Sequence, residues 1–533
     1  MLINTQFPLY HLLNGLETLL YPTLKLQKDD YEHHGENVQF IKETQSICPE
    51  CLKVLGATIF EEDGKVYIKK ECPEHGFFRE VYWSDYEQYQ RAEKFRYDGE
   101  GLNNPRTKTV NGCPYDCGIC PQHKSHTALS IIDVTNRCNL KCSVCFANAA
   151  AAGYVYEPTK EEIRGMLENL RRNDPVPATA LQFSGGEPTI RNDLFELIRM
   201  AKEVGFRHVE VNTNGLRLAQ SVDYCRGLKE AGMSTIYLQF DGLTSDVYKF
   251  IRGIDLLDVK MKAIENCRKA GIDSMVLVVT LVKGINDNQL GDIIRFTVKN
   301  FDVIRCINVQ PVSLCGRLPQ RERDKMRITI PDFMRQVEEQ TDGKIKVSDF
   351  YPVPTVVPIS KAVGALRSKR YVEFTAHPHC GMATYVFVEN GEIVPITRFG
   401  NVDKFIGVAR KVYADASKGS KNKAKLRLVG ALRHIKFGFL RRYVLGVLMD
   451  GSYQALGDLQ RNAILLSAMH FMDPYNFDLE RVQRCVIHYA VPDGRIIPFC
   501  TMNSIHRPEI ERKLGVSFRE WQSMHKAEIT QYA

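Results

Sequence analysis

Three groups of cysteines are spaced for metal chemistry. Cys138, Cys142 and Cys145 follow one another at gaps of three and two residues. Three thiolates so placed can hold three corners of a cubane iron–sulfur cluster and leave the fourth iron open to a substrate-like ligand. The structural alternative is a zinc knuckle. Cys113, Cys117 and Cys120 repeat the same gaps inside Gly112-Cys-Pro-Tyr-Asp-Cys-Gly-Ile-Cys-Pro121. They read as an auxiliary iron–sulfur site, with structural zinc as the alternative. Cys380, Cys485 and Cys500 stand in Pro- and Gly-containing loops and are available as further ligands. Cys315, like Cys306, flanks an expected strand and stays ambiguous, so one or two auxiliary clusters are compatible with the count. Cys225 and Cys267 fall in helical stretches and read as packing residues. Cys48-Pro-Glu-Cys51 and Cys72-Pro-Glu-His75 make two knuckles and so a tetrahedral Cys3His site. Iron is preferred to zinc there because the chain carries other redox ligands.

These ligands need a scaffold, and the hydrophobic pattern supplies one. Short apolar strands are expected at 129–134, 179–183, 207–212, 234–239, 273–280 and 303–309, separated by amphipathic helices such as Lys160–Arg171 and Asp193–Val204. Six β–α repeats imply an α/β fold with a parallel sheet, an open partial (β/α)6 barrel. The first cysteine triad follows the first strand, at the end of the barrel where active sites are built. Polar turns follow the next strands in order. The second is followed by Ser184-Gly185-Gly186-Glu187-Pro188, the third ends in Asn212-Thr213-Asn214-Gly215 and the fourth in Gln239-Phe240-Asp241-Gly242. The two glycines permit close approach of backbone to ligand, and the Glu187 carboxylate can take an ammonium group. The expected division is an N-terminal helix and linker (1–45), a metal module (46–100), an auxiliary-cluster segment (101–128), the barrel (129–345) and a C-terminal domain (346–533) that carries the late cysteines.

The 44% hydrophobic and 25% charged composition excludes a disordered chain, and no apolar run reaches the roughly 18 residues of a membrane span. A start without a basic segment argues against a signal peptide, and clustered cysteines fit a reducing, cytoplasmic setting. The segment from Ser417 to Met449 contains nine Lys and Arg and no acid, which exceeds the +8 net charge of the whole chain. Aliphatic residues interleave with Lys418, Lys421, Lys423, Lys425, Arg427, Arg433, Lys436, Arg441 and Arg442. A solvated face is one reading. Peripheral contact with an anionic lipid surface is the other, preferred to nucleic acid because no nucleic-acid motif accompanies it. Residues Phe7–Leu20 read as an amphipathic docking helix.

In the order of its cysteine triad and strand-end turns, the chain resembles the radical S-adenosylmethionine (SAM) superfamily across about 129–345. The resemblance implies that Cys138, Cys142 and Cys145 hold a 4Fe–4S cluster whose open iron binds SAM. It implies that Gly185, Gly186 and Glu187 meet the methionine end, that Asn214, Gln239 and Asp241 meet the carboxylate and ribose, and that Gln310 lies near the adenine. Val144 stands where an aromatic residue is usual, and Phe146 is the substitute for stacking. The metal module resembles rubredoxin, with His75 in place of a cysteine.

The run Met469-His-Phe-Met-Asp-Pro-Tyr-Asn-Phe-Asp478, with Cys485-Val-Ile-His-Tyr and Pro492-Asp-Gly-Arg-Ile-Ile-Pro-Phe-Cys500, makes the whole look like the archaeal tetraether lipid synthase family. That resemblance implies carbon–carbon bond formation between terminal methyl carbons of isoprenoid phospholipid chains, with a ferredoxin-like electron donor. Radical methylation of a pterin is the second enzymatic reading, and an iron–sulfur electron carrier the third. A lipid enzyme needs a long apolar tunnel, whereas a pterin needs a short polar pocket.

Overall fold

The computed structural model describes residues 38–149, 152–317, 323–389, 391–434, 436 and 463–524. The expected helix at Phe7–Leu20 and the basic residues Arg441 and Arg442 lie outside them.

The N-terminal module is a four-stranded antiparallel sheet in sequential order: β1 (Val38–Ile47), β2 (Val54–Glu62), β3 (Lys65–Cys72) and β4 (Gly76–Trp83). The turns between β1 and β2 and between β3 and β4 carry the metal knuckles. Ile47, Ile59, Val66, Ile68 and Trp83 alternate inward along the strands and are almost wholly buried.

The main sheet begins with β5 (Leu129–Thr135). After the short β6 (Tyr154–Val155) come β7 (Ala180–Gly185), β8 (His208–Thr213), β9 (Thr235–Gln239), β10 (Met275–Leu281) and β11 (Ile304–Pro311). Apart from β6, these are the six expected strands, and they pair in parallel in the order β5-β7-β8-β9-β10-β11. Helices on one face make the crossovers. Lys160–Arg171 starts from a capping box between Thr159 and Glu162 and buries Ile163, Leu167 and Leu170 against the strands. Leu181, Phe183, Val209, Val211, Ile236 and Leu238 are all fully buried beneath the helices.

The segment beyond 346 extends this same sheet on both edges. It forms β12 (Tyr351–Pro352), β13 (Gly381–Glu389), β14 (Glu392–Pro395), β15 (Ala463–Met469), β16 (Ile487–Ala490), β17 (Ile496–Pro498) and β18 (Val516–Ser517). Strand β15 runs parallel beside β11, and β16 runs parallel beside β5. The parallel core is thus a partial barrel widened by two C-terminal strands, while β18 pairs with β6. Sequence periodicity does not reveal these additions, because the two strands lie far from the β–α series in the chain.

The four-stranded module docks on the C-terminal segment through buried polar bonds. Tyr82 Oη and Thr44 Oγ1 each donate to the Asp478 carboxylate at 2.8 Å, and Lys70 Nζ donates to Pro474 O at 2.6 Å. Arg327 bridges the two by pairing with Asp473 at 2.6 Å and Glu80 at 3.2 Å.

Candidate active site

The triad Cys138, Cys142 and Cys145 sits on the loop leaving β5. Backbone bonds fix this loop from two sides. Val144 N donates to Ile251 O at 3.2 Å, and Cys145 and Arg317 exchange bonds at 3.0 and 3.3 Å. Arg317 also donates to Cys142 O at 2.9 Å and Ala149 O at 2.6 Å. The three thiols are free, and burial pushes Cys138 up to about 12. A buried thiol so disfavoured as an anion fits a site where a bound metal supplies the compensating charge.

The strand-end residues gather at the same mouth. Gly185 has φ +129°, and a Cβ there would lie 2.1 Å from Thr135 O; one at Gly186 would lie 2.1 Å from Arg137 O. Both glycines are therefore pressed against the root of the cysteine loop. Gly186 N donates to Thr135 O at 2.7 Å and Glu187 N to Arg137 O at 2.9 Å. Glu187 is buried, and its carboxylate accepts from Thr189 N and Oγ1, Thr213 Oγ1 and Asn214 N at 2.6–3.1 Å. Burial raises its pKa against those four donors. In this structure Glu187 ties β7 to β8. Asn214 Nδ2 reaches Asn139 Oδ1 in the cysteine loop at 2.7 Å.

Asp241 is fully buried and paired bidentately with Arg252 at 2.7 and 2.8 Å. Arg252 also donates to Thr280 Oγ1 at 2.9 Å and lies beside Cys142. Gln239 bonds Asp241 and accepts from Lys260 Nζ at 3.0 Å. Gln310 Nε2 donates to Tyr237 Oη at 3.1 Å. Phe146 packs edge-on against Phe471 and Phe499, with centroids about 6 Å away, and Val144 joins Val247 and Ile251 in a small apolar cluster.

Arg252, Lys260 and Arg317 were not singled out in the sequence, where a lone cation inside a helix or loop carries no spacing signal. Lys260 is fully buried, and burial holds it down to about 7. A base depressed in the fold is neutral above about pH 7 while the unfolded lysine stays charged to about 10.4. Its penalty is complete below pH 7 and is relieved as pH rises through that window. The expected slope from this group is about 1.4 kcal/mol of stability per pH unit between pH 7 and 10. Lys260→Met should remove that slope, as read from urea unfolding at several pH values.

Part of the inward face of the sheet is polar. Gln182 Nε2 donates to Glu210 at 2.9 Å, and His208 Nε2 lies 2.9 Å from the same carboxylate. Asn308 Nδ2 bonds Tyr237 Oη, and Ser467 Oγ lies 3.2 Å from Asn308 Oδ1. Asp133 pairs with buried Arg507 at 2.5 Å.

The ligand atoms of Cys48, Cys51, Cys72 and His75 all lie within 4.8 Å of one another. The Cys51–Cys72 Sγ distance is 3.9 Å, and His75 Nδ1 is 3.5 and 3.7 Å from Cys72 and Cys48. A tetrahedral zinc–thiolate site has edges of about 3.8 Å, so the four fit one mononuclear ion. Cys113, Cys117 and Cys120 line one small cavity with His123, Val482 and Pro498. Cys485 lies close enough to feel both Cys117 and Cys380, and Cys500 feels Cys485 and Cys380. Arg481 Nε donates to Cys380 Sγ at 3.4 Å, while its buried Nη1 has no hydrogen-bond partner among the described residues. Cys315 sits toward Cys145, with Ser313 Oγ at 3.4 Å.

The described part of the basic segment contains a helix, Lys421–Ala431, packed on the helix Val402–Ser417 and followed by a 3-10 turn, Leu432–His434. Ala424 and Ala431 are buried, whereas Leu426 and Val429 are exposed. Arg427 and Lys423 both pair with Asp415. Among the described residues no helix is long and apolar enough to cross a membrane.

Comparison with known proteins agrees with this geometry in part and corrects it in part. Residues 132–297 match the Radical SAM superfamily, and residues 40–84 match the HMPTM N-terminal zinc ribbon domain. The chain is 51% identical to the 7,8-dihydro-6-hydroxymethylpterin dimethyltransferase of Methanocaldococcus jannaschii, over 91% of this chain and 98% of that protein. It is 26% identical to a probable GTP 3′,8-cyclase of Methanothermobacter marburgensis, over 40% of this chain and 66% of the other. Among solved structures it is similar to Streptococcus suis SuiB, with a TM-score of 0.34 and 20% identity, covering 41% of this chain and 47% of that one.

The 4Fe–4S cluster, SAM and a mononuclear metal in the ribbon stand. The rubredoxin-like reading gives way to a zinc ribbon, since the knuckle spacing is common to both folds. The tetraether lipid synthase reading and its isoprenoid phospholipid substrate are overturned by the pterin enzyme's near-complete match, and the membrane contact read from the basic segment finds no support beside it.

Proposed function

Because the chain belongs to the radical SAM superfamily, and within it to the family of the Methanocaldococcus pterin dimethyltransferase, we propose that it methylates carbon atoms of a reduced pterin. The observation that carries the reading is the extent of the kinship, 51% identity over 91% of this chain and 98% of that protein. The polar inner wall agrees with it. The chemistry also narrows the position. A ring nitrogen can take a methyl group from SAM by direct displacement, whereas an unactivated carbon offers neither nucleophile nor acidic proton.

Cys138, Cys142 and Cys145 would hold the 4Fe–4S cluster. With SAM bound, the cluster would supply a 5′-deoxyadenosyl radical able to abstract hydrogen from carbon, that SAM leaving as methionine with its methyl group retained, so the transferred methyl would come from a second donor molecule such as another SAM, with electrons from the external reductant. The chain's own residues then orient and shield. Arg317 and the Ile251 carbonyl hold the cysteine loop in place, and the Arg252–Asp241 pair keeps Cys142 beside a fixed positive charge. Asn214 and Gln239, both at the mouth, are the candidates for the polar groups of SAM. Gly185 and Gly186 keep the β7 turn close to the cluster, and Glu187 holds that turn to β8.

Cys113, Cys117 and Cys120 would ligate one auxiliary cluster. Cys380, Cys485 and Cys500 would serve a second, whose negative charge suits the unpartnered Nη1 of Arg481.

The test is binding. Anaerobic holoenzyme should bind 7,8-dihydro-6-hydroxymethylpterin saturably, followed by fluorescence, and should not sediment with vesicles of archaeol-type diether phospholipid. Sedimentation with vesicles and no pterin binding would defeat the reading.

A further inference from the structure

Two acidic side chains on the strands of the barrel, Asp133 and Glu210, and a third, Asp241, in the turn just beyond β9, belong to the inner wall and mouth, and they differ in how they are neutralised. Asp133 is paired with Arg507, and Asp241 with Arg252. Glu210 pairs with no lysine or arginine among the described residues. Its donors are the neutral Gln182 amide and the half-buried His208 ring. Its side chain is only 14% exposed. A carboxylate so enclosed is stabilised by any further N–H donors brought to it.

Its place on the wall follows from strand alternation. Val209 and Val211 are buried under the helices, so Glu210 and Asn212 face inward. Gln182 is its direct cross-strand partner on β7, and Asn212 pairs with Tyr237 on β9. Across the wall, Asn308 and Gln310 direct their amides at the Tyr237 hydroxyl. The wall therefore offers a carboxylate on one side and a set of amide and phenol groups on the other.

We propose that Glu210 is the specificity-determining residue for the pterin, gripping the pyrimidine edge through its 2-amino and N3–H groups. The proposal rests on the pterin reading above and deepens it. Those two N–H groups are adjacent and parallel, as in a guanidinium, and match the two oxygens of a carboxylate. The 4-oxo group next to them is an acceptor, which the amides of Asn308 and Gln310 and the Tyr237 hydroxyl can serve. Glu210 lies four residues before Asn214 on β8, about 13 Å below the mouth at the usual strand rise. A bicyclic ring anchored there by its pyrimidine half extends its pyrazine half up the barrel toward the cysteine loop.

The experiment compares 7,8-dihydro-6-hydroxymethylpterin with its 2-desamino analogue on holoenzyme, wild type and Glu210→Gln. Wild type should bind the desamino compound on the order of 100-fold more weakly, as expected for loss of a charge-assisted bond in an enclosed site. E210Q should raise KM for the natural compound by a similar factor and lose most of the discrimination. The wild-type comparison stands even if the variant folds poorly. Wild type that methylates both pterins equally well, or E210Q with unchanged KM and discrimination, overturns the assignment and leaves the function intact. Wild type that neither binds nor methylates any pterin overturns the function, and the assignment with it.

Discussion

Replacing Cys138, Cys142 and Cys145 together with alanine should abolish reductive formation of 5′-deoxyadenosine from SAM. The three thiols share one short loop, and Cys315 lies toward it from another element. One remaining thiol cannot hold a cubane that needs three. The fold should persist, because the loop is fixed by backbone bonds to Ile251 and Arg317 and by Gly186 against Thr135. Chromatography of anaerobic reactions reads the product, and circular dichroism reads the fold. Continued 5′-deoxyadenosine formation by the triple variant would refute the assignment of this loop.

The second large effect is expected at the buried pair beneath the mouth. Asp241→Ala would leave Arg252 charged, enclosed and without its bidentate partner. Breaking a buried pair by removing one member costs about 3–5 kcal/mol. The damage should reach the cysteine loop, since Arg252 lies beside Cys142 and 3.4 Å from Val144 O. Urea unfolding should show the loss of stability, and iron and sulfide analysis should show a reduced content. Wild-type stability with full iron would mean that the pair does not support the loop.

Much of the fold was legible because its signals are local. The six parallel strands depart from the expected ranges by no more than two residues, since apolar runs bounded by polar turns mark strand ends directly. The cysteine triads stand out in the sequence because their members are close to one another. The edge strands β15 and β16 were not, because pairing between distant segments leaves no local mark.

The functions of Arg252, Lys260 and Arg317 depend on where their side chains end, which spacing does not encode. The substrate was misjudged for a related reason. Ribbon, triads and barrel are cofactor apparatus shared by enzymes acting on unlike molecules. The discriminating signal lay within the strands, where Gln182 and Ser184, Glu210 and Asn212, and Asn308 and Gln310 alternate with apolar residues. That period of two marks a polar inner wall, and the strands had been weighed only as apolar runs. The basic segment reads as a lipid contact from its charge and its interleaved aliphatic residues, whereas its helix Lys421–Ala431 packs on its neighbour and pairs two of its cations with Asp415.

The most direct measurement is an anaerobic turnover assay with SAM, dithionite and 7,8-dihydro-6-hydroxymethylpterin, with archaeol-type diether lipid in a parallel reaction, both read by mass spectrometry. The expected result is pterin that has gained one and then two methyl groups, while the lipid is recovered unjoined. Joined isoprenoid chains with unaltered pterin would contradict the account.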